Sequence, residues 1–140
     1  MNDDHKAVYE ALNDAQKSDE SVALATIIST QGSIPRHAGS KMLVRADGSI
    51  VGTVGGGTME QLVIKEALAA LSDGKTRFET YSLNSTGGAP GVCGGTAQIF
   101  IEPIGVIPTL LVIGVGHVGK AVAELGKWMG FRVIACDDRA

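Results

Sequence analysis

Three glycine-rich segments carry most of the residues able to do chemistry. Gly55, Gly56 and Gly57 precede Thr58 and Glu60; Ser33, Arg36 and Lys41 lie in or beside a polar loop over 31–40; Cys93, Gly94 and Gly95 close a third loop. Glycines ahead of a helix leave backbone N–H groups uncovered at the positive end of the helix dipole, a setting that favours a phosphate. Arg36, Lys41 and Ser33 add donors for an anion or a polar heterocycle. Cys93, on a loop with little side-chain cover, is placed for a soft-metal ligand or a sulfur-transfer nucleophile. Each has a plainer reading. Arg36 and Lys41 are then solvated charges, the triple glycine a packing device, and Cys93 a small buried apolar residue. Glu60 is either a first-turn acid favoured by the dipole or a base facing a ligand. His37 and His117 have no second His or carboxylate at ligand spacing, so neither is read as a metal ligand.

A fourth motif lies further on. Gly114, Gly116 and Gly119 match G-x-G-x-x-G, and Asp137 follows 18 residues after Gly119. The glycines would serve a tight turn, backbone approach to a pyrophosphate and close helix–strand packing, and the acid would bind a ribose hydroxyl. The alternative is that they serve packing and hold no nucleotide.

The elements that must position these residues follow from hydrophobic spacing. A helix is expected over 3–16 with Val8, Leu12 and Ala15 on one face, then a strand over 21–30. Two apolar runs within 41–54 flank Asp47 and Gly48, a hairpin signal. A helix over 59–72 opens after the triple glycine, with a capping box of Thr58 and Gln61, and closes at Gly74. Strands follow over 76–83 and 96–102, with a loop over 84–95. The glycine loops converge if the strands leading to them are neighbours. After a connector over 105–108 come a strand over 109–114, a helix over 117–129 with a stripe containing Val118, Val122, Leu125 and Met129, and a strand over 132–136. The expected fold class is α/β: a small mixed α+β glycine-rich domain over 1–104, then the first β-α-β unit of a Rossmann-like domain over 105–140. Two parallel strands cannot bury both sheet faces. Either the natural chain is longer, or another copy or another protein completes the sheet; a homodimer about a two-fold axis is the expectation.

Composition limits the partners. The chain has 140 residues, a formal net charge of −3, 44% hydrophobic and only 4% aromatic residues, so its core must come from Val, Ile, Leu and Ala. No block of like charges invites nucleic acid or anionic membrane. The acidic, polar start is unlike a signal peptide, and no apolar run approaches a membrane span, which reads as cytoplasmic. Two cysteines without C-x-x-C spacing argue against a disulfide scaffold or a cysteine zinc site. Glycine, with 19 copies, is the anomaly, and it punctuates apolar runs as ordered tight loops do.

Residues 26–60, containing TQGSIPRHAGSK and VGGGTME, then CGGTAQIFIEP over 93–103, then VIGVGHVG over 112–119, resemble in that order the XdhC/CoxI family of xanthine dehydrogenase accessory proteins. The resemblance implies a non-enzymatic factor that binds molybdenum cofactor (molybdopterin), assists its sulfuration and inserts it into a molybdenum hydroxylase apoenzyme, with a cysteine desulfurase as a further partner. It places the cofactor phosphate at the helix after Gly57, the pterin against Arg36 and Ser33, and the molybdenum beside Cys93. Two departures stand out: Thr58 where many members have cysteine, and one β-α-β unit where members carry a complete Rossmann domain. Two other functions remain open. One is an NAD(P)-dependent oxidoreductase fragment using Gly114, Gly116, Gly119 and Asp137; the other is a structural or regulatory fragment that binds nothing.

Overall fold

The structure, a computed structural model, describes residues 3–82 and 94–138, which leaves Cys93 outside the described residues. The chain divides into two compact units, Met1–Val106 and Ile107–Ala140.

The first unit is built on β1 (Val22–Gln31), the central strand of its sheet. Around it stand β2 (Lys41–Arg45), β3 (Ile50–Gly52), β4 (Arg77–Ser82) and β5 (Thr96–Ile104), in the order β3-β2-β1-β5-β4. Every pairing is antiparallel. Two helices, α1 (Asp3–Lys17) and α2 (Gly57–Asp73), complete the unit.

Side chains alternate across a strand, and β1 divides the core accordingly. Ala23, Ala25 and Ile27 join Met42, Ala97, Ile99 and Ile101 against Met59, Val63, Ala67 and Ala70 of α2. Val22 and Leu24 join Leu43 on the opposite face, against Val8, Ala11 and Ala15 of α1. Alanines on β1 and α2 let that helix lie close to the sheet. Burying a residue such as Met59 or Val63 contributes about 1.5–3 kcal/mol.

The hairpin between β2 and β3 turns through Gly48 at φ +83°, with the Ser49 N–H donating to Asp47 Oδ1 at 2.9 Å. At the far end of α2, Gly74 takes the left-handed conformation and its N–H donates to the Ala70 carbonyl. The Arg77 guanidinium then clamps helix to strand, bonding Asp73 at 3.0 and 3.2 Å and Glu66 at 3.2 Å. The start of α2 differs from expectation. Its N-cap is Gly56, which makes no side-chain cap bond. Thr58 lies inside the helix, so the capping box with Gln61 does not form. Gly56 and Gly57, both at positive φ, let the helix begin before the threonine.

In the second unit β6 (Thr109–Ile113) and β7 (Arg132–Cys136) run parallel, joined by α3 (His117–Trp128). The expected apolar stripe is not what α3 buries: Val118, Val122, Leu125 and Met129 are all exposed within this unit. Gly126 is the buried helical position, and a Cβ there would meet Leu110 and Val133. The helix therefore approaches the strands through its glycines, which leaves its larger side chains outside the contact. On the other sheet face Leu111, Ile113 and Ile134 are 55%, 81% and 49% exposed.

Candidate functional site

Register gathers the glycine segments of the first unit at one end of its sheet. Gln31, the last residue of β1, pairs with Thr96, the first of β5, and Ser82 pairs with Thr96 from the other side. At the same end Lys41 begins β2 opposite Thr26, and Gly52 ends β3 opposite Met42.

The segments also touch. Ser33 and Gly94 form a parallel bridge. A Cβ on Gly95 would overlap Ile34 and lie 2.7 and 2.8 Å from the Gln31 and Ser33 carbonyl oxygens. One on Gly55 would lie 3.2 Å from Pro35 and 2.9 Å from Met59. The loop over 31–35 is thus pressed between the other two segments. Gly56 and Gly57 look onto open space, with no heavy atom within 4 Å of where a side chain would start.

Glu60 occupies the head of α2. Its Oε2 accepts hydrogen bonds from the Thr53 hydroxyl and, at 3.2 Å, from the Gly56 N–H. Thr53 Oγ1 in turn accepts the Gly55 N–H at 3.1 Å. A carboxylate of the chain itself fills the position that the sequence offers to a phosphate. Thr58 stands exposed one position into the helix.

Arg36 and Lys41 are elsewhere. The Arg36 guanidinium donates to Asp4 of α1 at 2.9 Å, so its partner is an acid 32 residues away. Lys41 Nζ donates to Thr26 Oγ1 at 3.0 Å. Met42 faces α2, so Lys41 faces the α1 side by strand alternation. The expected donor set therefore splits: Glu60 and the triple glycine belong to the α2 side, Arg36 and Lys41 to the α1 side, and Ser33, Gly94 and Gly95 to the rim.

Tyr81 lies behind this end, opposite Ala97. Its hydroxyl is buried and makes no hydrogen bond among the described residues. Desolvation, reinforced by Glu66 and Glu79, pushes its pKa up to about 12. Nothing in the sequence marked it beyond its place in a strand of mixed polar and aromatic residues.

The second unit has its own cleft. Gly114 turns at φ +88°, and a Cβ on Gly119 would overlap the Gly114 carbonyl oxygen, so only glycine fits there. Asp137 Oδ2 accepts the Val115 N–H at 2.6 Å, tying the end of β7 to the glycine loop. Val115, Gly116, His117, Lys120 and Asp137 line an open cleft of about 620 Å³. Lys120 was not singled out from sequence, and His117 was weighed only as a metal ligand. Two bases in the first turn after a glycine motif were the available signal. Among the described residues no group of three or more His, Cys, Asp or Glu is placed to hold a metal, and no helix is long and apolar enough to cross a membrane.

The sequence model of the XdhC and CoxI family matches residues 15–82. That span runs from the end of α1 through β4 and contains Ser33, Arg36, Lys41, Gly55, Gly56, Gly57, Thr58 and Glu60. The Escherichia coli protein YqeB is 45% identical over 118 residues, covering 82% of this chain and 21% of its own length. A crystal structure of a xanthine dehydrogenase from Bacillus halodurans superposes with a TM-score of 0.58 at 18% identity, over 90% of this chain and 61% of that one. At that identity the likeness is one of fold. The chain thus spans about a fifth of YqeB and under two thirds of the solved chain.

Proposed function

We propose that this chain acts as an accessory factor of the XdhC and CoxI type. In this reading it holds the pterin of molybdenum cofactor at the glycine end of the five-stranded sheet, for delivery to a molybdenum hydroxylase apoenzyme such as xanthine dehydrogenase. One observation carries the reading: three glycine segments meet at a single sheet end, two of them within the family-matched span.

The residues suit the pterin end of the cofactor better than its phosphate. Gly55, Gly56 and Gly57 leave room for a flat ring against backbone, with Thr58, Glu60, Ser33, Gly94 and Gly95 around it. At the head of α2 a phosphate would meet Glu60. Two like charges about 4 Å apart repel by ~4 kcal/mol at an effective dielectric of about 20, whereas the helix end contributes about 0.3–1 kcal/mol. Arg36 and Lys41, bonded on the α1 side, do not offset that repulsion. Cys93, adjoining Gly94, is the proposed residue facing the molybdenum. When bound, the cofactor supplies the redox chemistry of the recipient enzyme; the chain's part is to hold it, shield it during sulfuration by a cysteine desulfurase, and release it.

A second ligand is favoured by the cleft lined by Val115, Gly116, His117, Lys120 and Asp137, at a glycine loop suited to a nucleotide. NAD titration of the protein tests it, and an absence of heat and of any thermal shift removes it. For the leading reading, the protein is purified from cells that make molybdenum cofactor, then acid-oxidised and assayed by fluorescence and mass spectrometry. Near-stoichiometric release of an oxidised molybdopterin supports it, and release of none overturns it.

A further inference from the structure

Glu60 is fixed at one oxygen and open at the other. Oε2 is held by the Thr53 hydroxyl and the Gly56 N–H, while Oε1 makes no hydrogen bond among the described residues. The side chain is half-buried, so the second oxygen is not sealed away. Its neighbours Gly56 and Gly57 carry no side chains and look onto open space. A carboxylate held this way presents a planar acceptor edge in one orientation, with lone pairs remaining on both oxygens. Such an edge complements two parallel N–H donors, as in a carboxylate–guanidinium fork, and it repels anions.

We infer that Glu60 is the specificity-determining residue of the glycine site and that it reads the aminopyrimidinone edge of a pterin. The ring N–H and the adjacent amino N–H donate to the carboxylate, the ring lies against the glycine backbone, and the phosphate points away from the head of α2. This rests on the accessory-factor reading and adds the ligand's orientation to it. It also explains why an acid occupies a glycine-rich helix start whose geometry otherwise favours anions.

The probes are 6-hydroxymethylpterin, which carries no phosphate; the matching 6-hydroxymethyl-lumazine, in which an oxo group replaces the amino donor; and inorganic phosphate. Each is titrated by fluorescence quenching or calorimetry into the full chain and into Glu60→Gln. The wild type is expected to bind the pterin, to bind the lumazine at least about tenfold more weakly, and not to exchange pterin for phosphate. Glu60→Gln, which keeps an acceptor for Gly56 but places an amide donor at the edge, is expected to lose about tenfold or more in pterin affinity. The lumazine comparison needs no variant, so it decides the matter even if Glu60→Gln misfolds. Equal binding of pterin and lumazine, displacement of pterin by phosphate, or an unchanged Glu60→Gln affinity each overturns the inference. If molybdopterin is still retained in those cases, the accessory role stands and only the orientation falls. If neither retention nor pterin binding is found, both fall.

Discussion

Replacing Gly95 with alanine tests whether the meeting of the glycine segments is structural. The new Cβ would overlap Ile34 Cγ1 and lie 2.7 and 2.8 Å from two backbone carbonyl oxygens, those of Gln31 and Ser33. The isoleucine can rotate, but the carbonyls belong to the end of β1 and to the Ser33–Gly94 bridge. Overpacking costs about 1–3 kcal/mol, and two backbone obstacles place this case near ~3 kcal/mol. Gly95 is not at positive φ, so the cost is steric. Gly39→Ala is the matched comparison: φ is +91° and nothing lies within 4 Å, leaving only backbone strain of about 1–2 kcal/mol. At about 4–8 °C per kcal/mol for a unit of this size, Gly95→Ala should lower Tm by at least ~12 °C. Differential scanning calorimetry of both variants reads the difference. A Gly95→Ala loss no larger than that of Gly39→Ala would refute the close approach.

Tyr81→Phe should raise stability by about 1 kcal/mol in urea unfolding, because it removes a buried hydroxyl lacking a partner among the described residues; a loss of that size would reveal a partner. The Tyr81 pKa is raised in the folded state to about 12, so its contribution is whole below the unfolded value near 10 and is lost as pH rises between the two. Tyr81→Phe should lack that alkaline loss. The Asp73 pKa is lowered, first by its hydrogen bond to Arg77 and then by the Lys75 N–H. Its contribution is present above the unfolded carboxylate pKa and fades as pH falls through it toward the lower native value, so Asp73→Asn should flatten the acid limb of a stability–pH curve. In Gly119→Ala the methyl meets the Gly114 carbonyl, and amide exchange across Thr109–Ile113 should speed up; unchanged protection would contradict the packing.

What the sequence made legible was periodic. β1 and β5 announced themselves by β-branched apolar runs, the Asp47–Gly48 hairpin by its turn residues, and α2 by apolar spacing between two glycine signals. Its start was misread because Thr58 and Gln61 satisfy a local pattern, whereas two left-handed glycines and a back-folded Glu60 satisfy the actual backbone. The Arg36–Asp4 pair joins residues too far apart for any local signal. The separation of Lys41 from Glu60 was in principle readable, since Lys41 alternates with the buried Met42, but it required knowing which face α2 covers. Gly119 and Gly126, seven residues apart, mark the face of α3 that meets the strands, a signal carried by the absence of side chains and not by an apolar stripe. The residue types of the site were visible; their partition between two sheet faces was not.

The pairing of Ser82 with Thr96 has a consequence for how such a scaffold diversifies. The chain leaves β4 and re-enters at β5 from adjacent points, and the Ser33–Gly94 bridge fixes the point of return. Closing a loop between two such anchors costs only about 0.6 kcal/mol more for each doubling of its length. A connection between two such anchors can therefore be lengthened or shortened at little cost to the sheet. A change in the length of that connection leaves the register of the five strands as it is.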